Sequence, residues 1–487
     1  MKYIIQTFLL LLLTSQVVQA QDLPQDFDEM VVADMEKWHA PGLGLAIVKD
    51  GKTILTKGYG VKSFETNDPV NENTLFQAGS TTKAFVAMSL AMLVDEGKVN
   101  WDDPIIKHIP EFKMKNKYVQ NHLTIADALS HSSGVSQLSN LNMFYGEDIG
   151  ETWALMANIG QQDSFRGSWD YNNTTFALGG RVVERVSGKK LHKFIEERIL
   201  DPLGMDDTHL LDHQVRSDEN RAEAHQYFEG KSHQIPYPYI EYTQAAGMIN
   251  STPVDMAKWM ELLLAEGQWD GVGLVSPERI KEMMKPHILL EPGDVYPAAA
   301  TYNQNYYSYG MAWFVHDYKG HKIAMHTGSI DGMIAIVAVV PEQKMGVYVF
   351  INSDHIEYRH ALMNTVMDIV LDLPRTNWSE KLYPIFHPQE DTSNEEAETF
   401  PEIASQDLIG TYDLEGSYPL MISENNGILQ GRFGTQNIEI TQAENNSYLY
   451  INPAARNFSK VRKLNIKIDD NGHVKNIIFN GYAYDKQ

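Results

Sequence analysis

The chain is expected to fold as an α/β protein, an antiparallel sheet flanked by helices with a helical subdomain, followed by a small all-β, barrel-like domain. Three observations lead there. Strand patterns stand at both ends of the first three quarters of the chain, with apolar helical segments between them. The later strands are joined by connections as short as Lys319-Gly320 and Asp331-Gly332, which only antiparallel pairs allow. Beyond an acidic stretch, Leu408 to Gln487 holds only short alternating segments broken by glycines.

At 487 residues the chain is long enough for two or three domains with a sizeable core. Residues 1–20 carry Lys2, an apolar run to Leu13 and the ending Val17-Val18-Gln19-Ala20, the pattern of a secretory signal peptide; an exported protein, periplasmic or secreted, is expected. The run is too short for a membrane span, which needs ~20 residues, and no later segment is long and apolar enough. No cysteine is present, which excludes disulfides and a thiol nucleophile. The net charge of -24 argues against nucleic acid and anionic membrane surfaces as partners.

In chain order, Phe27 to Trp38 reads as an amphipathic helix, and Leu43–Val48 and Thr53–Tyr59 flank Asp50-Gly51 as a hairpin. Ala84 to Val94 is apolar nearly all round, the mark of a helix buried on every side. Leu123 to Gly134 reads as a short capped helix ending in a polar turn. Thr174 to Val186 is a further helix stopped by Gly188, with Asn172 or Asn173 as its natural N-cap. Val254 to Ala265 is helical, 291–308 is an irregular loop able to line a cleft, and strands follow at Tyr309–Val315, His321–Thr327, Met333–Val340 and Met345–Ile351. A helix from His355 to Leu373 closes the region. The expected organisation is thus a signal peptide (1–20), a main domain (21–374), an acidic linker (375–404) and the all-β domain (405–487).

Chemistry is concentrated at the head of the buried helix. Ser80 and Lys83 lie three residues apart on one helical face, at an N-terminus whose unpaired N–H groups favour negative charge. A serine needs a base, and a desolvated lysine can be one. The spacing alone is weak, since Ser187 and Lys190 repeat it at a glycine-stopped, solvated helix end. His326-Thr327-Gly328-Ser329 falls at a strand end before a tight turn, where a glycine admits a substrate and the next N–H can face an oxyanion. Other constellations fail: there is no His-Glu-x-x-His, no Gly-x-Ser-x-Gly elbow, and His209 with His213 lacks an evident carboxylate partner, so neither metal nor cofactor is expected.

Taken together, Ser80-x-x-Lys83, Tyr171-x-Asn173 and His326-x-Gly328 resemble the three ordered motifs of the serine β-lactamase and penicillin-binding protein superfamily. The likeness is closest to the branch of class C β-lactamases, D-aminopeptidases, D,D-carboxypeptidases and esterases. Leu129 to Gly134, Val182 to Gly188 and Asp201 to Met205 support it, over roughly residues 25 to 373. The resemblance implies a serine hydrolase acting through an acyl-enzyme on a small peptide, ester or β-lactam. Ser80 would be the nucleophile, Lys83 its base partner and Tyr171 a proton shuttle, with the order of Lys83 and Tyr171 left open. Asn173 would hold substrate or Lys83, and the N–H groups of Ser80 and Ser329 would form the oxyanion hole. His326 stands where lactamases carry lysine; at an ordinary pKa near 6.5 it would charge only in acid and make selection of anionic substrates pH-dependent. The alternatives are a β-lactamase and a non-catalytic protein that binds penicillins or cell-wall peptides. The last domain resembles the lipocalin-like β domain of some relatives.

Overall fold

The computed structural model describes residues 23–487 apart from 136–156, 158–162, 229, 238–243, 294, 388–402, 415–418, 434–435, 443–447, 452–461, 470 and 480–481. The expected signal peptide lies outside the described residues.

Helix α1 (Phe27–Trp38) leads into the hairpin β1 (Gly42–Lys49) and β2 (Lys52–Gly60). A single 3₁₀ turn, Gly79–Thr81, then runs into α2 (Thr82–Asp95), buried along nearly its whole length. The helical subdomain includes Ile125–Leu129, closed by a Thr124/Asp127 capping box, and α3 (Asn173–Ser187), which the αL residue Gly188 ends. After α4 (Pro253–Leu264) come β3 (Ile288–Leu289), β4 (Tyr307–Tyr309), β5 (Phe314–Tyr318), β6 (His321–Ile330), β7 (Met333–Val340) and β8 (Met345–Ile351), then α5 (Tyr358–Val370) and α6 (Trp378–Phe386).

One eight-stranded antiparallel sheet has the order β2-β1-β8-β7-β6-β5-β4-β3, so the early hairpin joins the later strands as expected. Strand alternation sends side chains to two separate cores. Ala46, Val48, Ala335, Val337 and Phe350 pack with α2 and α4, whereas Leu45, Ile47, Ile336, Val347 and Val349 pack with α1 and α5. A second sheet, β9 (Gly410–Asp413), β10 (Leu420–Asn425), β11 (Ile428–Phe433), β12 (Gln436–Gln442), β13 (Tyr448–Ile451), β14 (Arg462–Ile468), β15 (Val474–Phe479) and β16 (Tyr482–Lys486), closes into a barrel when β9 pairs with β16. Closure removes the exposed edges; Tyr412, Phe433, Ile477 and Tyr484 fill the interior.

Two expectations need correction. Tyr309 to Val315 is not one strand: Gly310 N–H donates to Trp313 O and Ala312 takes a φ of 70°, so the chain turns back and β4 pairs with β5. The stretch taken as the start of the linker forms α6 instead. Trp378 and Leu382 are buried there, and the Trp38 indole donates to Ser379 Oγ at 2.9 Å, which ties α6 to α1. Asp368 on α5 completes the attachment, accepting from Tyr318 Oη, Lys319 Nζ, Trp378 Nε1 and Thr376 N.

Candidate active site

Ser80 occupies the 3₁₀ turn at the head of α2, and that turn is pressed against β6. Gly79 has φ +52°, and a Cβ there would lie 2.7 Å from Ser329 N. A Cβ on Gly328 would lie 1.9 Å from Ala78 O and 3.1 Å from Ser80 N. Only two glycines allow this approach, and it puts the backbone amides of Ser80 and Ser329 on either side of one narrow space.

Lys83 is fully buried, with Nζ 3.0 Å from Ser80 Oγ, 2.7 Å from Asn173 Oδ1 and 3.2 Å from Ala246 O. Two of these partners can only accept; the hydroxyl can also donate. An ammonium donates to all three; a neutral amine, with two N–H bonds and a lone pair, keeps Asn173 and Ala246 as acceptors and turns the lone pair to the Ser80 hydroxyl. Burial pushes the Lys83 pKa well below its usual value. Asn172 is the residue that caps α3, accepting from Thr175 N at 2.9 Å, which leaves Asn173 free to face the lysine.

Tyr171 places its ring 4.7 Å from Lys83 Nζ, and its phenol lies close to the Ser80 hydroxyl. Desolvation, with Tyr296 adding to it, raises the Tyr171 pKa and keeps the phenol protonated. His131 packs on Tyr171 at 4.4 Å and accepts from Asn172 N through Nδ1, so it is a neutral support under the tyrosine; burial, then Lys83 and His326, push its pKa well down.

The third motif lies on β6 beyond the end of β5. Phe314 pairs with Met325, so among the described residues no strand pairs with 326–330 on that side. The two-residue turn after Ile330 makes Ile330↔Met333 and, by alternation, Gly328↔Ala335 the hydrogen-bonded pairs. The Ser329 N–H therefore points away from β7, toward the Ser80 turn.

His326 is not the titrating cation that its position suggested. It is 1% exposed, its Nδ1–H donates to Thr327 O at 2.6 Å, and its Nε2 accepts from Tyr309 Oη at 2.9 Å. Burial first, then the Lys83 charge, depress its pKa to about 3. It is a neutral link between β6 and β4.

Ser80, Lys83, Tyr171, Asn173, His326, Gly328 and Ser329 thus meet at one place. Four participants were missed. Ala246 acts through a carbonyl, which no side-chain pattern reveals. Tyr309 carries only a strand signal in the sequence. Tyr296, from the loop expected to line a cleft, hydrogen-bonds Thr327 Oγ1. Arg359, two residues into α5, donates to Gly328 O. Elsewhere, His209 does meet a carboxylate, Asp218 at 3.2 Å, and its backbone pairs with Asn250 as an ordinary bridge. Among the described residues no helix is long and apolar enough to cross a membrane.

A sheet of this order, with a serine and lysine at the head of a buried helix facing its β6 edge, defines the β-lactamase-like fold, here followed by a closed barrel. The chain belongs to the Beta-lactamase family, whose profile matches residues 27–371. It is similar to an unguisins hydrolase of Aspergillus campestris, 29% identical over 348 residues, spanning 68% of this chain and 62% of that protein. It is also similar to the protein flp of Staphylococcus aureus, 24% identical over 351 residues, spanning 71% of this chain and 66% of that protein. The matched stretches are thus just under two thirds of these relatives' lengths. An octameric penicillin-binding protein homologue from Pyrococcus abyssi shares the fold, with TM-score 0.64 at 23% identity, over 95% of this chain and 99% of that one.

Proposed function

We propose that the protein is an exported serine hydrolase that cleaves amide or ester bonds of small peptides, D-amino-acid or cell-wall-derived peptides being the class the motifs favour, through an acyl-enzyme on Ser80. The observation that carries this reading is the meeting of Ser80 Oγ with the fully buried Lys83 Nζ at 3.0 Å, where Asn173 Oδ1 and Ala246 O hold the amine in place. A similar protein bearing the name of a hydrolase supports catalysis over passive binding.

In this reading neutral Lys83 takes the Ser80 proton as Oγ bonds to the substrate carbonyl carbon. The carbonyl oxygen becomes an oxyanion between the N–H groups of Ser80 and Ser329. Tyr171, whose pKa is raised, cannot start as phenolate, so its role is to pass a proton to the leaving amine or alcohol as the C–N or C–O bond breaks, recovering one from protonated Lys83. Water then attacks the acyl-enzyme by the reverse proton path and frees Ser80.

Among the described residues no open cation faces a substrate carboxylate: Lys83 is buried against Ser80, Asn173 and Ala246, His326 has its pKa depressed to about 3, and Arg359 is engaged by Glu357 at 2.9 Å. This favours neutral amides and esters, including peptides blocked at the C-terminus, over β-lactams and peptides with a free carboxylate beside the scissile bond. The test is one panel of D-aminoacyl anilides, D-Ala-D-Ala peptides, short acyl esters and a chromogenic cephalosporin, with a serine-directed probe. Turnover of neutral esters or anilides that vanishes in Ser80→Ala is expected. Stoichiometric labelling with no turnover would replace the enzyme with a binding protein.

A further inference from the structure

Arg359 is 2% exposed, yet no substrate charge explains it. Its Nε and Nη2 donate to the two carboxylate oxygens of Glu357 at 2.9 and 3.0 Å. Burial is the largest influence and pushes Glu357 up, but the Arg359 charge and hydrogen bonds, with His360 and His355, together outweigh it and hold its pKa below the usual value. The pair is therefore ionised and mutually neutralised. Its remaining nitrogen, Nη1, donates to Gly328 O at 2.5 Å, to Ala335 O at 3.0 Å and to Ser329 Oγ at 3.1 Å. The ladder between β6 and β7 already joins Gly328 to Ala335, so pairing these strands does not require a buried guanidinium, whose desolvation is costly.

What the guanidinium adds is a second, charged grip on one peptide plane, whose carbonyl the ladder holds from the Ala335 side. The carbonyl of Gly328 and the N–H of Ser329 belong to the same peptide, and in a trans peptide they point in opposite directions. Arg359 grips the carbonyl end, and the N–H end faces the Ser80 turn. The residue before that N–H is glycine, the one most able to let the plane rotate. A flip would aim a carbonyl oxygen, not a donor, at the developing oxyanion.

We infer that Arg359 is a positioning residue of the oxyanion hole: by holding Gly328 O from the side away from the substrate, it locks the Ser329 N–H toward the reacting carbonyl and polarises it. Glu357 makes this possible, because it holds the guanidinium in plane and cancels its charge. The inference rests on the acyl-enzyme reading above.

The experiment compares the native protein with Ser80→Ala, Arg359→Lys and the double variant Glu357→Gln/Arg359→Met, which avoids leaving Glu357 buried and unpaired. Each is assayed on a neutral ester and on its thionoester, whose sulfur is a poor acceptor for N–H donors, with thermal unfolding as the check on folding. In the double variant, kcat on the oxygen ester should fall about 10²- to 10³-fold, the cost of losing one oxyanion donor, with KM within about twofold. The preference for oxygen ester over thionoester should collapse with it, which a merely structural role would not cause. Arg359→Lys keeps a charge and a donor able to reach Gly328 O; it should lose less rate and retain more of that preference, and it decides the question if the double variant does not fold. A native-like preference in a folded variant that has lost the Arg359 contact overturns the inference while leaving the hydrolase reading intact. Turnover undiminished in Ser80→Ala, or none in the native protein, overturns that reading and the inference with it.

Discussion

Lowering the pH from 8 to 6 should leave unchanged the ratio of kcat/KM for a peptide ester bearing a free carboxylate over the same ester with that carboxylate amidated. The base system of Lys83 and Tyr171 titrates alike for both substrates, so the ratio isolates charge recognition. An imidazole at the reference pKa of 6.5 would go from ~3% protonated at pH 8 to ~76% at pH 6, and the ratio would climb several-fold. With its pKa near 3, His326 is only ~0.1% protonated at pH 6. A proton added at Nε2 would displace the hydrogen donated by Tyr309, and Nδ1 already gives its own to Thr327 O. Nor, among the described residues, does another group supply the charge, since Arg359 is paired with Glu357 and Lys83 is buried against its own partners. The amidated ester should therefore be preferred at both pH values by about 5- to 150-fold, the equivalent of leaving a polar group unsatisfied at ~1–3 kcal/mol. The assay is a matched pair followed across pH in the native protein and in His326→Gln, which is neutral at every pH. A native ratio that rises toward acid with a midpoint near 6.5, and goes flat in His326→Gln, would refute the argument by showing that solvent reaches the imidazole.

Lys83→Arg should fold but acylate about 10²- to 10⁴-fold more slowly, because a permanently charged guanidinium cannot accept the serine proton; burst kinetics with a chromogenic ester measure it. In the native protein the acid limb of kcat/KM should fall well below the ordinary lysine range, with activity rising as pH passes upward through the depressed Lys83 pKa. Gly328→Ala should abolish turnover even where the protein folds, since its methyl would meet Ala78 O at 1.9 Å and force β6 away from the Ser80 turn; residual rate and melting temperature separate the two effects. Asp368→Ala should destabilise by about 1–3 kcal/mol, because it leaves the buried Trp378 indole and Tyr318 hydroxyl without their shared acceptor while Lys319 keeps Pro374 O; denaturant titration tests it. A fragment of residues 22–387 should fold, and one of 22–375 should melt markedly lower, having lost the burial of Trp378 and Leu382 at roughly 1.5–3 kcal/mol each.

What the sequence reveals of this site follows a physical divide between local and non-local determinants. Ser80 and Lys83 share one helical face, so their meeting is fixed by spacing within a single element, and Ala84 to Val94 announces a buried helix through its own composition. Asn172 and Asn173 could not be told apart as cap and ligand from sequence, because that depends on which side of α3 faces α2. The broken strand after Tyr309 was hidden for a related reason: Met311 to Val315 is as apolar as a strand, and only the turn between Gly310 and Trp313 shows otherwise. The helix Trp378–Phe386 was masked by its acidic, proline-containing neighbourhood, its buried face being just Trp378, Ser379 and Leu382. His326 marks the limit most clearly. Its identity is legible, and a histidine in place of lysine does remove a cation, but its charge state is set first by burial and then by the Lys83 charge, while Tyr309 on another strand occupies its Nε2. Arg359 shows the same from the other direction. A residue 31 positions along the chain from Gly328 governs a peptide that the motif itself could only name. Spacing can therefore identify the groups that exchange protons, whereas the orientation of the backbone donors opposite them is a property of the packed sheet.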